Sequence, residues 1–151
     1  MKIAHIGIIS AVGLFALGGA IAGAQAKAYV ARLSIVPITL AMQKVVAGRG
    51  SATAVLAGDT LTIEGTFEGL RSPATVARLH VGLRGVRGVR GPAVANLVVS
   101  GGTKGSIRGV IDATRELRQA LEKSSLYIQI HSEQAPEGNL WGWLLPQEVK
   151  P

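Results

Sequence analysis

The chain holds three histidines, and two of them, His80 and His131, lie in strand-like segments whose alternation can aim an imidazole. In Arg78-Leu-His-Val81 a period of two puts Arg78 and His80 on one face and Leu79 and Val81 on the other. In Leu126-Tyr-Ile-Gln-Ile-His131 it sets Tyr127, Gln129 and His131 opposite Leu126, Ile128 and Ile130. If the aliphatic sets build the core, both imidazoles point outward. Such a pair has two uses, structural hydrogen bonding or the beginning of a copper or zinc site. Arg78 argues for the first use, because it places a positive charge where a further ligand would stand. The absence of Cys excludes zinc-thiolate sites, iron–sulfur clusters, disulfides and a cysteine nucleophile together.

A second set of residues suits binding. Gly82-Leu-Arg-Gly-Val-Arg-Gly-Val-Arg-Gly91 is the only internal repeat. Without prolines its four glycines cannot hold a triple helix, so it reads as an extended loop presenting Arg84, Arg87 and Arg90. Its two readings are an anion-binding loop and a solvated loop that aids solubility. Trp141 and Trp143 alternate with Leu140, Gly142 and Leu144, so the same core assignment turns both tryptophans outward. Trp beside Arg is the composition of an interface hot spot. A flipped sheet or a covering segment would instead bury them.

Catalysis has little to draw on. There is no G-x-S-x-G, no S-x-x-K and no P-loop, since Gly102-Thr-Lys-Gly-Ser106 has the letters without the order. Asp59 and Asp112 are the only aspartates, and both fall at apparent turns or caps rather than beside a histidine. The expectation is that the chain is not an enzyme and carries no cofactor, with copper or zinc as the alternative.

The elements that must position these residues are short strands. Segments 29–35, 38–46, 51–56, 61–67, 75–83, 93–100, 105–111, 126–132 and 140–145 have strand composition, and Leu61-Thr-Ile-Glu-Gly-Thr-Phe67 alternates most cleanly. Asp112 to Ser124 is the exception: Leu117 and Leu121 stand at i, i+4, and Asp112 or Thr114 can cap a helix there. Many short strands and one helix predict an all-β sandwich or closed barrel with the helix crossing one end. At 151 residues one domain is expected.

Residues 1–26 read as a signal peptide. Lys2 is followed by a run with no charge beyond a proton on His5, and Ala24-Gln-Ala26 is a cleavage signal. The competing reading is an uncleaved anchor. The domain is then 27–151, and its location periplasmic or secreted. The formal charge of +7 is uneven: between Glu68 and Asp112 lie seven bases and no acid. An anionic partner follows from that block, and export argues against nucleic acid.

Several landmarks together resemble the chordin-type CHRD domain. Ala77-Arg-Leu-His80, then Gly91-Pro-Ala-Val-Ala-Asn-Leu97, is similar to its A-H-I-H-G…G-P-V…L. Lys104-Gly-Ser-Ile-Arg-Gly109 resembles its return strand, Leu126-Tyr-Ile-Gln-Ile-His-Ser132 its L-Y-V-N-V-H-T, and Pro136-Glu-Gly-Asn-Leu-Trp-Gly-Trp-Leu144 its P-G-G-E-I-R-G-Q-L. The likeness covers about residues 31–145. It implies an immunoglobulin-like β-sandwich or barrel with some likeness to copper–zinc superoxide dismutase, and it implies export. The departures are Arg78 for the first His, Gln129 for the Asn, Asn139 for the Glu and Trp141 for the Arg.

The resulting expectation is an exported binding or scaffolding module for a protein or an anionic cell-surface component. Membrane contact would be at most peripheral unless the signal is retained. Its surface would combine Arg78, Arg84, Arg87, Arg90, Trp141 and Trp143. The alternative is a reduced dismutase-like copper or zinc site at His80 and His131.

Overall fold

The computed structural model describes residues 25–148. The expected signal peptide lies outside this range except for its last two residues. Nine strands and one helix follow in chain order: β1 (Lys27–Ile35), β2 (Arg49–Ala57), β3 (Thr60–Glu68), β4 (Ala74–Val81), β5 (Ala93–Val99), β6 (Gly105–Asp112), α1 (Arg115–Glu122), β7 (Leu126–Ser132), β8 (Ala135–Trp143) and β9 (Leu145–Pro146).

Alternation makes each strand two-faced, and closing the sheet hides one face completely. In β3, Leu61, Ile63 and Phe67 are buried while Glu64, Thr66 and Glu68 are exposed. In β7 and β8, Leu126, Ile128, Ile130 and Leu140 have no exposed surface. The pairings run β1-β2-β3-β6-β5-β4-β7-β8 and return to β1, all antiparallel. β1 closes the ring by pairing Lys27 to Leu33 with β2 and Ser34 and Ile35 with β8. β9 continues β8 past Leu144 and lies along the start of β1. The all-β expectation therefore takes its closed form, a barrel with no long free edge.

The β3–β4 and β6–β7 connections skip strands, so the barrel is Greek-key wound. The second of these connections carries α1. Thr114 caps it by accepting from the Leu117 N–H at 3.2 Å. Leu117, Ala120 and Leu121 are buried against the barrel core and stopper one end. Among the described residues no helix is long and apolar enough to cross a membrane.

Two expectations about strands are corrected. Segment 38–46 is not a strand: Leu40–Lys44 forms a 3-10 turn. Pro37 removes a ladder donor, and both neighbours of β1 are already taken by β2 and β8. The segment's apolar residues Met42, Val45 and Val46 pack outside the barrel in a small cluster with Val36, Ala135 and Trp141. The last strand also begins earlier than expected, at Ala135, so that Pro136 and Gly138 lie within β8.

Candidate functional site

The outward face of β4, β7 and β8 collects nearly every residue that the sequence singled out. Register sets them in rows. His80 of β4 stands opposite Tyr127 of β7, which stands opposite Trp143 of β8. One step along, Arg78, Gln129 and Trp141 form the next row. A further step places Val76 opposite His131. The buried aliphatic partners Leu79, Ile128, Ile130 and Leu140 confirm which face looks outward.

These side chains pack on one another rather than standing free. His80 stacks on Tyr127 with ring centroids 4.8 Å apart and 16° between planes. Tyr127 meets Trp143 at 4.6 Å and Trp141 edge-on at 5.7 Å, and the two tryptophans meet edge-on at 5.7 Å. Such tilted and edge contacts match the charge distribution of aromatic rings. Trp141 and Trp143 are half-buried, an outcome between the exposed and covered readings of the sequence. The covering material for Trp141 is the 36–47 segment, which Asn139 fastens. Its side-chain amide accepts from the Ala47 N–H at 3.2 Å and donates to the Ala47 carbonyl at 3.1 Å.

The arginine loop folds against the same face. Arg84, Arg87 and Arg90 are all exposed, as expected for a presenting loop. The Arg90 guanidinium sits 5.5 Å from the Trp141 ring centroid, in cation–π range. Gly82 and Gly91 form the loop's neck: a Cβ on Gly91 would lie 2.0 Å from the Val81 carbonyl, and one on Gly82 2.0 Å from the Val86 carbonyl. Only glycine permits that approach. Tyr127 clamps the neck, its hydroxyl 3.1 Å from both the N–H and the carbonyl oxygen of Gly91.

Both histidines are held at Nδ1 by a backbone carbonyl. His80 Nδ1 lies 3.0 Å from the Gly91 carbonyl and His131 Nδ1 2.7 Å from the Pro136 carbonyl. A carbonyl can only accept, so each Nδ1 carries a proton and donates it. Both Nε2 atoms are buried, and neither has a hydrogen-bond partner among the described residues. Burial pushes the His80 pKa below its usual range, assisted by the charges of His131, Arg78 and Arg90, while the Gly91 bond opposes the shift.

The two histidines are not direct neighbours, because the Arg78–Gln129 pair lies between their positions in the register. Among the described residues no three of His, Cys, Asp and Glu converge as a metal-binding group. Two imidazoles whose Nε2 atoms have no protein partner would fit copper or zinc in chemistry once those nitrogens are deprotonated, and fixing Nδ1 on a carbonyl is how metal-bound histidines are oriented. The Arg78 cation opposes that fit.

Tyr127, Gln129 and Asn139 matter here, though sequence reasoning gave them no role. Tyr127 shares a parity face with His131, and that was the available signal. Gln129 donates to the Glu137 carbonyl at 2.9 Å and steadies the turn of β8 beside His131.

The model of the CHRD domain matches residues 36–144. Among curated proteins and among solved structures, nothing matches the chain.

Proposed function

Because the chain belongs to the CHRD-domain family, we propose that it is an exported binding module whose contact surface is the β4–β7–β8 face with its arginine loop. The observation that carries this reading is Arg90 stacked on Trp141, which joins loop and tryptophans into one surface. The ligand is a protein or an anionic component of the cell surface, bound without chemical change. Export is supported by the position of β1: its first paired residue is Lys27, so removing everything through Ala26 leaves the barrel whole.

The test is retention on an immobilised sulfated polysaccharide. Arg84→Gln/Arg87→Gln should elute at clearly lower salt than Arg71→Gln/Lys104→Gln, which removes the same charge from the other end of the barrel. Equal elution would reduce the effect to net charge and reject a local surface.

A second reading is favoured by one observation, the pair of buried, unpartnered Nε2 atoms. Here His80 and His131 hold copper or zinc, which would supply Lewis acidity or, with copper, redox capacity. The chain's own part is to fix both rings through Gly91 and Pro136. Titration with Cu(II) and Zn(II) should then show one site lost in His80→Ala and in His131→Ala. Wild type and variants behaving alike would end this reading.

A further inference from the structure

The loop's arginines are only half of its chemistry. Its repeat unit is an aliphatic residue, an arginine and a glycine, and the aliphatic members are exposed as well: Leu83 by 52%, Val86 by 51% and Val89 by 44%. Other large apolar side chains are exposed singly, Val110 among them, but the loop gathers three within seven residues beside three cations. The arrangement is fixed rather than accidental. The Leu83 N–H donates to the Val89 carbonyl at 3.2 Å and the Gly85 N–H to the Gly82 carbonyl at 2.8 Å, while the neck is closed by Gly82, Gly91 and Tyr127.

We propose that the 82–91 loop is a wedge that docks on an anionic lipid bilayer. Leu83, Val86 and Val89 enter the boundary between headgroups and acyl chains, and Arg84 and Arg87 hold lipid phosphates. The half-buried Trp143 and the Arg90-capped Trp141 lie behind the loop, where indole rings suit an interfacial level. Charge complementarity favours this occupant: no acid occurs in the loop, nor anywhere between Glu68 and Asp112. β4 ends at the same end of the barrel where β1 begins: Val81 pairs with Leu126, the Leu126 carbonyl accepts from the Leu144 N–H, and the next residue, Leu145, pairs with Val30 near the start of β1. This inference rests on the binding-surface reading and names its occupant.

The chain contains no Cys, so Val86→Cys provides a unique site for an environment-sensitive dye, with Val110→Cys on exposed β6 as its control. Vesicles of phosphatidylcholine are compared with vesicles in which part of the lipid is anionic phosphatidylglycerol. The dye at position 86 should shift to the blue on anionic vesicles only, and the dye at 110 should not respond. In cosedimentation, Leu83→Ser/Val86→Ser/Val89→Ser should bind at least about tenfold more weakly at unchanged charge, and Arg84→Gln and Arg87→Gln about fivefold each. A serine variant that sediments like wild type, or equal dye responses at 86 and 110, would overturn the wedge. Protein that ignores vesicles yet is held on sulfated polysaccharide through Arg84 and Arg87 keeps the binding surface and rejects the lipid. Indifference to both overturns both.

Discussion

His80 and Tyr127 share one backbone target, Gly91, and each contributes something the other cannot. Tyr127 is almost fully buried and its hydroxyl serves both polar groups of Gly91. Tyr127→Phe keeps the stacking and leaves the Gly91 N–H without its acceptor, which should cost about 1–3 kcal/mol in urea unfolding. His80 adds a proton balance. Burial holds its folded pKa below the unfolded value of about 6.5. On acidification the unfolded chain therefore takes up its proton first, so this contribution to stability is flat above about pH 6.5 and declines as pH falls from there toward the depressed folded value. His80→Asn retains a donor for Gly91 and removes the titration. Its unfolding free energy should fall less between pH 7 and pH 5 than that of wild type, and parallel pH profiles would show that the His80 proton plays no part.

Elements differ in how much of their fate is written locally. β3 and β7 are legible because Leu61, Ile63 and Phe67, or Leu126, Ile128 and Ile130, alternate against polar neighbours along an uninterrupted run. The helix was legible through its i, i+4 leucines, and of its two candidate caps Thr114 is the one used. Thr114→Ala should lower stability by about 1 kcal/mol, read as a shift in urea midpoint at constant slope. Segment 38–46 has strand composition yet finds no strand edge, because barrel closure assigns both sides of β1 elsewhere. That outcome is set by distant residues and has no local signature. The site divides in the same way. Parity alone turned His80, His131, Trp141 and Trp143 outward. The meeting of His80 with Tyr127 and Trp143 needed the β4–β7–β8 register, and the contact of Arg90 with Trp141 needed the fold of the loop. Gly91→Ala tests the loop as an element. A Cβ pressed 2.0 Å from the Val81 carbonyl must open the neck, so Arg90 should leave Trp141 and the tryptophan emission should move to the red while the barrel's far-UV spectrum is kept.

On the scale of the whole molecule, the basic block that is continuous in sequence is divided in space. Arg108 stands opposite Glu64 across β3 and β6. Arg71 and Lys104 lie near the start of β4, where Leu70 bonds Thr103 and Ala74 bonds Gly102. Arg84, Arg87 and Arg90 belong to the opposite end, with α1 and the beginning of β1. Net charge therefore describes the molecule poorly, and one pole carries the loop's cations together with its apolar side chains. What keeps that pole in register with the aromatic face is closure of the barrel, and closure depends on β1 because it alone joins β2 to β8. Leu33, 1% exposed, is the core residue of β1 nearest the point where its pairing passes from one neighbour to the other. Leu33→Ala should cost about 2–5 kcal/mol. Because the ring has no independent half, the loss should appear as one earlier transition in which tryptophan fluorescence and far-UV circular dichroism coincide. Tryptophan fluorescence changing first, with strand signal retained, would show that the β4–β7–β8 face opens separately and that the ring is not a single cooperative unit.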